Sequence, residues 1–176
     1  MVRSVKRPLA IVGICGSLQA ASSNLALLRD AAALMPTDAN FTLFEGLGDI
    51  PHFNPDHEAA GAPDQVVEFR ALLLAADGVI IASPEYGFSL PGSLKNAIDW
   101  AIGTGELAGK PIAVAASVAG PGRGRRGLQA LLVTLGAVGA VVVGGEPIVR
   151  GPDARAELGA LIASLIDAVE QREPVE

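Results

Sequence analysis

Leu9-Ala10-Ile11-Val12-Gly13-Ile14-Cys15-Gly16-Ser17-Leu18-Gln19-Ala20-Ala21-Ser22-Ser23-Asn24 runs from an unbroken apolar stretch through a small, hydroxyl-rich loop into a helical pattern. A short apolar run closed by glycine reads as a buried strand, and Ser22 or Ser23 ahead of Leu25, Leu27 and Leu28 reads as a helix cap. The same alternation repeats along the chain. Strands are expected at Leu9–Ile14, Phe41–Phe44, Gly78–Ala82, Ile112–Ala116 and Ala140–Val143, and helices at Asn24–Met35, Asp64–Ala76, Gly92–Ile102, Arg125–Leu135 and Ala154–Val169. Four of the five strands are continuous apolar runs, the mark of a parallel sheet covered by helices on both faces. A three-layer α/β sandwich follows, organised as one domain over residues 1–176. In such sheets ligands bind beyond the carboxyl ends of the strands where strand order reverses, so function belongs in the loops after the first, third and fourth strands.

Composition narrows the classes. The 176 residues are 50% hydrophobic and 18% charged, too apolar for a disordered chain. Thirteen Lys and Arg against nineteen Asp and Glu leave a net charge of −6, which gives a nucleic-acid backbone little to bind. The single cysteine, Cys15, cannot form an internal disulfide, which points to a reducing compartment with the cytoplasm as the default. Arg3, Lys6 and Arg7 before the run Leu9 to Cys15 resemble a secretory leader, but the run is short. Gly127 to Gly145 approaches the length of a membrane span. Its glycines and the β-branched Val141, Val142 and Val143 fit a helix, a turn and a buried strand better.

The three loops carry the candidate chemistry. After the first strand, Ser17, Ser22 and Asn24 put small donors beside a helix start, where free N–H groups and the helix dipole favour an anion. After the third strand comes Ser83-Pro84-Glu85-Tyr86-Gly87-Phe88-Ser89-Leu90-Pro91-Gly92-Ser93-Leu94-Lys95-Asn96-Ala97-Ile98-Asp99-Trp100. Its prolines stiffen a loop whose Tyr86 and Gly87 suit the edge of a flat ligand. After the fourth, Gly122 to Gly127 formally satisfies a dinucleotide fingerprint, with Glu146 near the acidic position. It sits on the wrong turn of the fold and carries adjacent arginines, and is read as accidental. His52 and His57 flank a turn expected to be solvated rather than metal-binding. Cys15 reads as a small buried residue. Lys95 and Asp99 form a surface pair one helical turn apart. Leu94, Ile98 and Ile102 are expected to face the sheet. Trp100 reads as a packing residue, or as the anchor of a subunit interface if its face is exposed.

Gly16-Ser17-Leu18-Gln19-Ala20-Ala21-Ser22-Ser23-Asn24 is similar to the phosphate loop GSLRxxSxN, and Pro84 to Trp100 to PEYNxSxPGxLKNAIDW, of the NADPH-dependent FMN reductase family. The resemblance covers about residues 8 to 150 and departs at Gln19, where the family has arginine, and at Gly87, where it has asparagine. It implies a flavodoxin-like sandwich with a five-stranded parallel sheet in the order 2-1-3-4-5. It further implies FMN as cofactor, NADPH or NADH as hydride donor, and a quinone or similar small acceptor. A homodimer or homotetramer is expected, with no nucleic-acid or membrane partner. By the same resemblance Ser17, Gln19, Ser22 and Asn24 hold the FMN phosphate. Pro84, Glu85, Tyr86 and Gly87 line the isoalloxazine and ribityl edge, and Ser117 and Gly120 lie on the ring's other side. The flavin carries the chemistry, so no side chain is assigned as catalytic. A flavodoxin-like electron carrier or a silent FMN-binding module is the alternative, and a dehydrogenase built on the Gly122 loop is a third.

Overall fold

The computed structural model describes residues 7–172. Five parallel strands, β1 (Leu9–Cys15), β2 (Ala39–Phe44), β3 (Gly78–Ala82), β4 (Pro111–Val118) and β5 (Val141–Val149), form one sheet in the order β2-β1-β3-β4-β5. Successive side chains of each strand point to opposite faces, so one sheet builds two cores. On one face Val12, Ile14, Val79, Ile81, Ile112 and Val114 pack with residues of α3 (Asp64–Ala75), α4 (Gly92–Ile102) and α5 (Arg125–Ala137). On the other, Ile11, Ile80, Ala113 and Ala115 pack with α1 (Ser23–Leu34) and α6 (Ala154–Glu170). The fold is the flavodoxin-like sandwich that the sequence leads one to expect. The run Leu9 to Cys15 is β1, an internal strand of the sheet. Among the described residues no helix is long and apolar enough to cross a membrane, and Gly127 to Gly145 divides between α5, a turn at Gly139 with φ +71°, and β5.

Four expectations need correction. The segment around His52 and His57 is not a plain turn: a 3₁₀ turn at Gly46–Asp49 precedes a short helix, α2 (Pro55–Ala60), capped by Asn54, whose Oδ1 accepts the Asp56 N–H at 2.9 Å. β5 runs on to Val149 instead of ending at Val143, with a register irregularity between Val114 and Ala116 on its neighbour. Of its two expected readings, Trp100 fits the packing residue and not the interface anchor. It is fully buried, its Nε1–H donates to the Pro51 carbonyl at 2.8 Å, and the Phe53 ring meets it edge-on with centroids 5.0 Å apart. The segment before α2 covers the face of α4 that the sequence leaves unassigned. Arg70 locks this cover, bonding both Glu58 oxygens at 2.9 and 2.8 Å and the Trp100 carbonyl. Ile102, expected to face the sheet, is instead 52% exposed at the end of α4. Lys95 and Asp99 do pair, at 2.5 Å.

Asp77, at the turn into β3, illustrates an electrostatic tie. Burial pushes its carboxyl upward, but bonds from Arg7 at 2.7 and 2.6 Å, the Ala10 N–H at 2.7 Å and the charge of Lys110 outweigh this and hold it below its ordinary value. A lowered carboxyl stabilises the fold above its unfolded value of about 4, and that contribution is lost as pH falls through the folded value. Asp77→Asn is therefore expected to lower stability at neutral pH and to flatten the decline below about pH 4, read by urea unfolding across that range.

Candidate functional site

Strand order reverses between β1 and β3, and the loops that leave the carboxyl ends of β1, β3 and β4 meet there. The first loop turns tightly. The Gly16 N–H donates to the Ala82 carbonyl at 2.9 Å, and a Cβ on Gly16 would stand 3.0 Å from Ser83 Oγ. The loop ends at Ser22, whose extended backbone and Oγ, accepting the Asn24 N–H at 3.2 Å, cap α1. The two adjacent hydroxyls therefore divide their roles. Ser22 caps, whereas the Ser23 hydroxyl donates to the Ser117 carbonyl at 3.3 Å.

Asn24 joins two of the loops. It is 3% exposed, and its Oδ1 accepts the Ser117 N–H at 2.9 Å. That bond fixes the orientation of the amide, so Nδ2 is left as the free arm, with no partner among the described residues, and the residue lines the cleft. A second link joins the first and third loops, where Tyr86 Oη lies 3.4 Å from Ser17 Oγ. A third joins the third loop to α5: the Gly127 N–H, in that helix's first turn, donates to Glu85 Oε2 at 2.9 Å. A carboxylate at a helix start satisfies an orphan donor and complements the dipole. The approach is close, since a Cβ on Gly127 would fall 2.9 Å from Glu85 Cα and Cβ.

The tip of the third loop is a two-residue hairpin. Tyr86 and Ser89 exchange backbone hydrogen bonds of 3.0 Å in both directions across Gly87 and Phe88, with φ of +57° and +62°. Two consecutive left-handed residues make the mirror-image turn that suits tight hairpins. Phe88 holds this conformation with its ring exposed and the Arg126 guanidinium 4.3 Å from its centroid. Asparagine also adopts left-handed backbone, whereas a β-branched residue is strained there by about 1–2 kcal/mol. Gly87→Asn is expected to leave the unfolding midpoint nearly unchanged and Gly87→Val to lower it, measured by thermal denaturation.

The loops enclose a cleft of about 460 Å³. Ser17, Gln19, Ser22, Asn24, Pro84, Glu85, Tyr86 and Ser117 all line it, so eight of the ten positions singled out from sequence come together. Gly87 and Gly120 do not line it. Each borders open space, with nothing within 4 Å of an added Cβ. The cleft also takes in Arg123, a candidate to compensate for Gln19 at the phosphate, together with Ser23 and Arg150, to which the sequence assigns no ligand role. Arg150 follows the last residue of β5, and a strand end expected at Val143 leaves it in an unremarkable loop. Gly122 and Gly124, with φ of +80° and +79°, shape the turn into α5, and Arg125 of the same run pairs with Glu146 at 2.7 Å. The dinucleotide pattern there is a helix entry. Among the described residues no group of three or more His, Cys, Asp or Glu could hold a metal ion.

Comparison with known proteins agrees with this geometry. The chain is 43% identical over 112 residues to an NAD(P)H-dependent FMN reductase of Pseudomonas aeruginosa, covering 62% of this chain and 60% of that relative. It is 35% identical over 136 residues to a quinone reductase of Escherichia coli, covering 74% and 72%. Among solved structures, FerB, a flavoenzyme NAD(P)H:(acceptor) oxidoreductase of Paracoccus denitrificans, superposes with a TM-score of 0.82 at 28% identity, over 93% of this chain and 98% of that one. Flavodoxin 1 of Bacillus cereus shares the fold at a TM-score of 0.64. The model of the NADPH-dependent FMN reductase family matches residues 9–151, which hold the whole sheet and every loop of the cleft, and the chain belongs to that family.

Proposed function

We propose that the protein is an FMN-dependent NAD(P)H oxidoreductase that reduces quinones or similar small planar oxidants. The carrying observation is that, in a chain of this family, one cleft joins an anion-ready end at the start of α1 to the loop edge formed by Pro84, Glu85 and Tyr86. The residues fit FMN. The cleft's volume lies within the about 300–1,000 Å³ usual for small-ligand sites. Its helix end offers backbone N–H groups and the free Nδ2 of Asn24, the donors a phosphate monoester accepts.

When bound, FMN supplies the redox chemistry, receiving hydride from NAD(P)H and giving two electrons to the oxidant. The chain's own part is to bind and orient. Ser17, Gln19, Ser22 and Asn24 hold the phosphate. The Glu85 side chain is spent on α5, so Glu85 offers the ring its backbone, beside Pro84, Tyr86 and Gly87. Ser117, fixed at its N–H by Asn24, and Gly120 border the other side. No side chain need act as a general base, because the transferred hydride carries its own electron pair. The open space at Gly87 and Gly120 leaves room for a second planar molecule, and one opening serves donor and acceptor in turn. Initial-rate plots against NADPH and benzoquinone are expected to be parallel, the pattern of a ping-pong cycle. Intersecting lines would contradict a shared opening.

The free, buried Cys15 suits a reducing compartment, and we place the enzyme in the cytoplasm. A homodimer or homotetramer completes the proposal. With Trp100 buried, its support passes to the exposed apolar Phe88 and Ile102. Light scattering at micromolar concentration should give a multiple of the chain mass, and a monomer would refute it.

A further inference from the structure

Gln19 stands where the family's phosphate loop carries arginine, which would leave the FMN phosphate without a side-chain cation on that loop. The structure supplies a cation from elsewhere. Arg150 follows β5 immediately, and its N–H donates to the Val118 carbonyl at 2.9 Å, which pins its backbone beside the end of β4. Its side chain lines the same cleft as Ser22, Ser23 and Asn24. It also lines an adjoining cavity of about 480 Å³ that shares Ser22, Ser23 and Ser117 and runs along α1 past Arg29 and Asp30. Arg150 therefore stands where the two cavities meet, at the start of α1. Among the described residues its guanidinium makes no ion pair or hydrogen bond. Arg150 is an exposed residue, so its guanidinium is available to an anion that enters the cleft. Asn24 adds a neutral donor in the same cleft: the residue is 3% exposed, and its Nδ2, which has no partner among the described residues, is not sealed from solvent.

We propose that Arg150 is the cationic ligand of the FMN phosphate in this chain, taking from the end of β5 the role that Gln19 has vacated in the first loop. This rests on the reading of the cleft as an FMN site. Guanidinium offers two parallel N–H donors to phosphate oxygens, and hydrogen bonds of that kind are roughly twice as strong as neutral ones. Arg123 also lines the cleft, but it does so from the β4–α5 turn among Gly122 and Gly124 and does not border the second cavity. Its share of the phosphate is expected to be small.

The test compares FMN with riboflavin, which lacks the phosphate, by flavin fluorescence titration of the full chain. Wild type, Arg150→Ala, Arg123→Ala and Arg150→Ala combined with Gln19→Arg are measured. The backbone bond of Arg150 survives any substitution except proline, and thermal melts verify folding of each variant. Arg150→Ala is expected to weaken FMN by about tenfold or more while riboflavin changes less than about twofold. Arg123→Ala should stay within about threefold for both, and Gln19→Arg should recover most of the FMN affinity lost in Arg150→Ala. An Arg150→Ala protein that binds FMN like wild type overturns the proposal and leaves the FMN reading intact. Equal loss for FMN and riboflavin overturns it too, showing a structural effect, as does failure of Gln19→Arg to restore binding. Wild type that binds neither flavin overturns the FMN reading itself.

Discussion

Asn24→Ala is expected to weaken FMN binding by about 10–100-fold and to lower stability by about 1–3 kcal/mol, because one side chain does two jobs. Its Oδ1 is the acceptor for the Ser117 N–H, and its removal strands that donor beneath the cleft. Its Nδ2 is the only arm left to meet the phosphate, so binding loses a hydrogen bond to a charged group. Asn24→Asp separates the two jobs. The carboxylate still accepts from Ser117, so stability should hold near the wild-type value, but it sets a negative charge against the phosphate, and FMN affinity should fall at least as far as in the alanine variant. Urea unfolding reads the first effect and flavin fluorescence titration the second. If Asn24→Asp bound FMN as well as wild type does, the phosphate would lie elsewhere.

Gly127→Ala is the second large effect, and it acts on the other end of the cleft. The added methyl carbon would lie 2.9 Å from both Cα and Cβ of Glu85. Contact with a backbone atom cannot be relieved by a rotamer change, so the Pro84–Gly87 edge or the start of α5 must move. Overpacking of this kind costs about 1–3 kcal/mol. In the proposed FMN site the moved edge lines the ring, so FMN and riboflavin are expected to weaken together, by about tenfold. That contrasts with Arg150 and Asn24, whose effects depend on the phosphate. Glu85→Gln keeps an acceptor for the Gly127 N–H and should retain most of the affinity. Loss confined to FMN in Gly127→Ala would mean that Glu85 and the ring edge are not connected as described.

The parts of this molecule that sequence makes legible are those where local pattern and tertiary role agree. Leu9 to Asn24 reads as strand, loop and helix because its apolar run, its glycine and its capping serine each specify what the sheet requires. β5 is harder. Gly144 and Gly145, with φ of +75° and +105°, followed by Glu146 and Pro147, look like a turn, yet an edge strand tolerates proline and positive φ where it kinks. Reading the strand as finished at Val143 hides Arg150, which reaches the cleft only because Ile148 and Val149 pair with Ser117 and Val118. Trp100 shows the other failure. Its burial depends on Pro51, Phe53 and Arg70, distant in sequence, and no periodicity within α4 contains that information. α2 leaves a signal, asparagine before proline at a helix start, but in so short a helix it reads equally well as a turn.

The measurement that tests the central claim most directly is an anaerobic titration of the FMN-loaded protein, followed at the flavin absorbance band. One equivalent of NADPH or NADH should bleach the band, and one equivalent of benzoquinone should restore it, with the same protein completing repeated cycles. A protein that retains FMN but is bleached by neither nicotinamide would be a carrier or a binding module, and that result would contradict its assignment as a reductase.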